Sequence, residues 1–189
     1  MLYITVSTGI GGGFVFGGEL YGGASGAAAE VGHMTILPQG PHCMCGNRGC
    51  LEAVASGTAI ARNATELIQR GVPTLIADLA VKQPDGVSAK LVAEAAQAGD
   101  AVAIEIIREA MSFLGIGVAN LVNLLNPELI VVGGSLTKMG DALFGPVRRA
   151  VNQRAFPLSA KQVQVIPAEL GDQVGVIGAA AIAITSQDR

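Results

Sequence analysis

Apolar and polar positions change period several times along this chain, and each change marks an element. Residues 2–7, "LYITVS", run apolar with β-branched members and predict a strand. A glycine loop follows, then "FVF", the pair Gly17-Gly18 and "ELY", the pattern of a hairpin. Residues 22–50 are rich in glycine, hold no period, and predict an irregular segment. "LEAVASGTAIARNATELIQRG" returns to a helical period and predicts one or two helices closed by Gly71. A short helical piece is expected within "GVPTLIADLAVKQPDG", and Ser88 is placed to cap a helix from Ala89 to about Ala98. The longest periodic stretch starts behind Asp100, a candidate N-cap, and stops at Pro127. Its apolar positions surround the helix late in the run, so its second half is expected to be buried. "ELIVVGG" predicts a buried strand, a helix then runs to about Arg154, and "QVQVIPAEL" predicts another strand. "GVIGAAAIAI" predicts a small-residue helix able to pack closely on a sheet. Strands and helices alternating in this way predict an α/β layered fold, with no internal repeat and no low-complexity linker.

Composition narrows the class. The 189 residues suffice for one domain with a sizeable core or for two small lobes. Hydrophobic residues are 50% and charged residues 14%, so the chain is globular and not disordered. The formal net charge of −3 gives no electrostatic case for nucleic acid. "MLYITVSTG" lacks the basic start of a signal peptide, and the apolar runs are too short or too interrupted by Asn to span a bilayer. Three cysteines, an odd number, argue against a disulfide framework, and a reducing cytoplasm is the expected location.

Those cysteines carry the sharpest signal. Cys43, Cys45 and Cys50 fall within the eight residues of "CMCGNRGC", where Gly46 and Gly49 let the loop fold back. Three ordinary buried cysteines would rarely cluster so, and a redox C-x-x-C pair is absent. Zinc takes four ligands, and three cysteines with one histidine form a common structural set. Of the two histidines, His42 abuts Cys43 and would be cramped, whereas His33 approaches from a separate segment and is preferred. Four protein ligands leave no open position, so a structural zinc is expected to pin the loop. Glu30 and Glu52 flank His33 and Cys50, and could accept hydrogen bonds from a polyol at the loop's edge, or simply be solvated acids.

The segment "STGIGGGFVFGG" follows a strand but fits neither familiar phosphate loop. It lacks the lysine of a Walker A loop, and it leads into a strand where a dinucleotide-binding turn leads into a helix. What remains is a hairpin whose uncovered amides can hold a phosphate, or a tight hairpin with no ligand. "VVGGSL" places a second glycine pair where a strand meets a helix, which suits either a ligand crevice or close packing.

Together "STGIGGG", "GAAAEVGHMTI", "CMCGNRGCLE", "LIVVGGSL" and "GDQVGVIGAA" resemble the ROK family of repressors, open reading frames and sugar kinases, in particular its glucokinase-like members. The resemblance implies an α/β fold of the actin/hexokinase-like (ribonuclease H-like) kind, an ATPase lobe carrying a zinc-binding loop at about residues 30–52. It implies Zn²⁺ held by His33, Cys43, Cys45 and Cys50, and sugar contacts from Glu30, His33 and Glu52. Thr8, Gly9, Gly11 and Gly12 would belong to a second phosphate loop, and Gly133 and Gly134 to an adenosine-binding turn. Position 7 is Ser where the family often has glycine.

The family's kinases also carry an Asp-x-Gly-Gly-Thr phosphate loop and an Asn-Asp pair whose aspartate is the base, and neither occurs here. Residues 1–189 are therefore expected to correspond to the C-terminal lobe of a longer protein and to show little kinase activity alone. The leading expectation is ATP- and Mg²⁺-dependent phosphorylation of a hexose, with no catalytic residue assigned within the chain. Two alternatives stand beside it: the effector domain of a sugar-responsive repressor, touching nucleic acid only through a helix-turn-helix ahead of it, and a zinc-pinned dimerisation module. A homodimer is expected, with no membrane partner.

Overall fold

A computed structural model describes residues 1–81 and 83–187. Lys82, in the expected short helical piece, and positions 188 and 189 of the expected lobe lie outside the described residues. The chain begins with strands β1 (Leu2–Val6), β2 (Ile10–Phe16) and β3 (Glu19–Leu20). β1 and β2 pair antiparallel from Leu2↔Phe14 to Val6↔Ile10. The β2–β3 turn uses Gly17 and Gly18 at φ of +59° and +86°, the hairpin expected of that pair.

A long glycine-rich segment then leads to α1 (Leu51–Ala55) and α2 (Gly57–Gln69). Ser56 separates them because its hydroxyl accepts from the Ala59 N–H and caps the second helix. α3 (Leu75–Ala80) and α4 (Ala89–Gln97) follow, the latter capped by Ser88 as expected. α5 (Ala101–Leu125) is one continuous helix, capped at Asp100 and ended by Asn126 in the left-handed conformation just before Pro127. Its second half is buried through Leu114, Val118, Leu121 and Val122, but Leu124 is exposed. β4 (Leu129–Gly133), α6 (Asp141–Arg154), α7 (Pro157–Gln162), β5 (Gln164–Pro167) and α8 (Val174–Gln187) complete the chain. α7 has no counterpart in the sequence expectation; its single turn and a half is started by Pro157 at the first helical position.

The sheet order is β3-β2-β1-β4-β5, with β1, β4 and β5 parallel and β2 antiparallel to β1. Leu2, Ile4 and Val6 alternate into a buried cluster with Ile130, Val132, Met111, Leu114 and Val147. β1 and β4 are thus fully buried on one face and largely half-buried on the other, and "ELIVVGG" supplies the buried strand expected there. The expected close packing of the last helix on a sheet is not observed. α8 touches chiefly the turn before it, and Val176, Ile177 and Ile184 are exposed. Its apolar residues run all round the helix, so its sequence specifies burial without specifying a face.

Candidate functional site

The site lies at the carboxyl ends of β1 and β4, which are adjacent and parallel. Ligand crevices in α/β sheets form at such ends. Ser7, Thr8 and Gly9 make the turn from β1 to β2, closed by the Ser7 N–H donating to the Gly9 carbonyl at 2.9 Å. The N–H groups of Thr8 and Gly9 have no acceptor among the described residues. Gly11 and Gly12, expected in the same loop, sit within β2 opposite Thr5 and Ile4.

Three elements hold this turn. From α2, the Gly57 N–H donates to the Ser7 carbonyl at 2.8 Å, and the Thr58 hydroxyl donates to the Thr8 carbonyl at 2.8 Å. From behind β4, the Ser135 hydroxyl meets the Ser7 hydroxyl at 2.8 Å. From α1, the Glu52 carboxylate accepts the Ile10 N–H at 2.8 Å through Oε2. Gly9 is what lets that carboxylate in, since a Cβ there would collide with Glu52 Oε2.

Gly133 closes β4, and Gly134 turns the chain at φ +92°, where an added Cβ would lie 2.8 Å from the Val6 nitrogen. The Ser7–Ser135 contact therefore places the glycine pair beside the β1–β2 turn. Ser7 stands out in the sequence only as a departure from the family's glycine, and its hydroxyl has a partner that no sequence spacing signals.

The thiol loop folds back as its glycines predict, with Gly46 and Gly49 at φ of +93° and +65°. Cys43 N–H donates to the Asn47 carbonyl at 2.8 Å, Gly49 N–H to Pro41 at 2.8 Å, and Leu51 N–H to Met34 at 2.8 Å. His33 sits on a 3-10 turn, Val31–His33, entered through Ala29 at φ +69°. The ligand atoms of His33, Cys43, Cys45 and Cys50 all lie within 4.8 Å of one another. His33 Nδ1 is 3.6 Å from Cys43 Sγ, and Cys45 Sγ is 3.7 Å from Cys50 Sγ. His33 Nε2 turns the other way, 3.8 Å from the exposed Glu30 carboxylate. His42 stays outside the cluster.

Burial, with Cys45 and Cys43 beside it, pushes the Cys50 thiol up to about 12. Cys45 is drawn down from its ordinary value, mainly by a backbone hydrogen bond from Asn47.

A cavity of about 220 Å³ joins the two loops, lined by Thr8, Gly9, His42, Cys43, Glu52 and Thr58 among others. A wider cleft of about 640 Å³ between α2 and α5 contains none of the expected site residues. Glu52, Thr8 and Gly9 thus meet in one cavity, while Glu30 pairs with His33 at its own edge of the thiol loop. Thr58 and Ser135 were not singled out from sequence. Thr58 sits two residues after a capping serine, a spacing that marks a helix start and nothing more.

The ROK family profile matches residues 1–186. The chain is 43% identical over 179 residues to a glucokinase of Halalkalibacterium halodurans, covering 94% of this chain and 54% of that one. It is 34% identical to a xylose repressor of Caldicellulosiruptor bescii, covering 98% of this chain and 46% of that one. Among solved structures, a ROK family glucokinase from Streptomyces griseus in complex with glucose and AMPPNP matches with TM-score 0.81 and 34% identity. That match covers 96% of this chain and 59% of that one. A ROK hexokinase from Thermus thermophilus matches with TM-score 0.80 and 36% identity, over 100% of this chain and 58% of that one. The chain spans about half the length of the curated relatives it matches. Its α/β fold is that of the ROK hexokinases, and the chain belongs to the ROK family.

Proposed function

We infer that this chain forms one side of the active site of an ATP-dependent hexose kinase of the glucokinase kind. The observation that carries this reading is the meeting of the Thr8-Gly9 turn and Glu52 in one cavity beside the thiol loop. Similarity to a glucokinase whose structure holds glucose and a nucleotide analogue supports it.

The thiol loop fits zinc. Tetrahedral zinc with bonds of about 2.3 Å to sulfur and about 2.05 Å to nitrogen has S···S edges of about 3.8 Å and S···N edges of about 3.6 Å. The distances of 3.7 Å between Cys45 and Cys50 and 3.6 Å between Cys43 and His33 Nδ1 match those edges. With Nδ1 on the metal, His33 keeps Nε2 for a sugar hydroxyl, oriented by Glu30. Zinc so enclosed holds the loop and leaves the chemistry to others.

Glu30 and Glu52 accept hydrogen bonds from hydroxyls of the hexose. The free amides of Thr8 and Gly9 face the transferring phosphate, with Gly11 and Gly12 shaping the strand behind them. Gly133 and Gly134 leave room for the adenosine. Mg²⁺ bound to ATP offsets the phosphate charge, and catalysis on this side is positioning and charge stabilisation. We assign no base for the sugar hydroxyl within these residues.

The test is a coupled phosphorylation assay on the full natural polypeptide with a panel of hexoses. ATP-dependent turnover of a hexose supports the reading. Hexose-dependent release from operator DNA with no turnover supports the repressor reading, which similarity to the xylose repressor favours.

A further inference from the structure

Glu52 faces two ways. It sits in the first turn of α1, two residues after Cys50, so the thiol loop sets its position. Its Oε2 accepts the Ile10 N–H at 2.8 Å, across 42 residues of sequence, at the first residue of β2. This bond is the one side-chain tie between α1 and the Thr8-Gly9 turn among the described residues. The second oxygen, Oε1, has no hydrogen-bond partner among the described residues, and Glu52 lines the shared cavity. The contact is also close-fitting, because any side chain at Gly9 would strike the same carboxylate.

The backbone at both ends of this tie is held by hydrogen bonds. The α1 end is held through the Leu51 N–H to the Met34 carbonyl and the bridge between Thr35 and Cys50. The turn end is gripped through its carbonyls and the Ser7 hydroxyl by Gly57, Thr58 and Ser135, which leaves the amides of Thr8 and Gly9 free to face a ligand. We propose that Glu52 is a positioning residue that couples the thiol loop to the phosphate-facing turn, through Oε2 on Ile10, while Oε1 remains for a hexose hydroxyl. A hexose that fixes Oε1 then fixes the turn as well, and loss of the thiol loop's order slackens it. Sugar and nucleotide binding are linked through one carboxylate that does not touch the nucleotide. This rests on reading the turn as a phosphate loop, as above.

The test compares Glu52→Ala with Glu52→Gln in the full natural polypeptide, by calorimetric binding of ATP and of glucose separately. Both variants lose a charged sugar contact. Gln can still accept from the Ile10 N–H, whereas Ala cannot. The expected result is ATP binding weakened about ten-fold in Glu52→Ala, restored in Glu52→Gln, with glucose binding weak in both. Unchanged ATP affinity in Glu52→Ala overturns the proposal. Gly9→Ala, which displaces the carboxylate while leaving Glu52 in place, is expected to reproduce the alanine result.

Amide hydrogen exchange needs no ligand and separates this proposal from the kinase reading. Exchange at Ile10 should accelerate in Glu52→Ala, and also in Cys45→Ser, where the thiol loop loses a ligand. Unchanged Ile10 exchange in both overturns the coupling. Accelerated exchange in a protein that binds neither ATP nor glucose keeps the coupling and overturns the kinase reading.

Discussion

Asp100 anchors the starts of two helices with one carboxylate. Oδ1 accepts the Ala103 N–H at 2.7 Å and caps α5, while Oδ2 accepts the Leu75 N–H at 2.6 Å and the Thr74 hydroxyl at 3.0 Å. Partial burial works to raise its pKa, but the hydrogen bonds from Ala103, Leu75 and Thr74 outweigh it and hold the carboxyl below its ordinary value. A depressed carboxyl contributes stability that is present above the unfolded pKa, about 3.9, and is lost as pH falls through the folded one. Asp100→Ala should cost about 1–2 kcal/mol at neutral pH, read from urea midpoints. Asp100→Asn should flatten part of the acid-side decline. Gly134 poses the opposite kind of constraint. At φ +92° against the backbone of Val6, Gly134→Ala should lower stability by about 2 kcal/mol or more and lower ATP affinity with it. A variant with unchanged melting temperature would show that the turn can relax.

At the scale of elements, the break between α1 and α2 matters more than either helix. By capping α2, Ser56 lets two short helices present Glu52 and Thr58 to the same turn from different directions. One unbroken helix would have carried those residues along a single axis. The thiol loop is the second such device. Its hydrogen bonds are backbone-to-backbone and local, and its side chains converge on one point. Treatment with a strong zinc chelator should raise amide exchange across residues 43–50 and lower the melting temperature, while β1 and β4 keep their protection. Cys45→Ser should lose the metal, measured by elemental analysis, and weaken glucose binding. Full glucose affinity in the metal-free variant would separate the loop from the sugar.

For the whole molecule, the sheet sets the site by bringing two distant turns to one edge. β1 and β4 are neighbours, and parallel pairing through Thr5↔Gly133 aligns their carboxyl ends, so Ser7 meets Ser135 across 128 residues of sequence. The molecule leaves apolar surface uncovered at α8, where Val176 is 77% and Ile184 is 66% exposed. Exposed apolar area of this kind drives association. Residues 1–189 produced alone should therefore self-associate in light scattering, and removal of residues 174–189 should reduce that association. A monodisperse monomer in both would show that α8 is covered within the chain.

The sequence determined most of the elements, the grouping of His33 with the three cysteines, and the family. Periodicity, Asp100, Ser88 and Pro127 fix α4 and α5 locally, because caps and breakers act within a turn of where they stand. Crowding three cysteines into one loop and keeping His33 apart from it was enough to choose the four side chains that the fold brings within 4.8 Å of one another. Tertiary structure alone decided which oxygen of Glu52 points where, that Ser7 and Ser135 touch, that Thr58 grips Thr8, and that α8 stands uncovered. These are contacts between segments far apart in sequence, set by strand order and by the direction each helix leaves its cap. No local pattern encodes them, because the same residues in another sheet order would form the same elements and never meet.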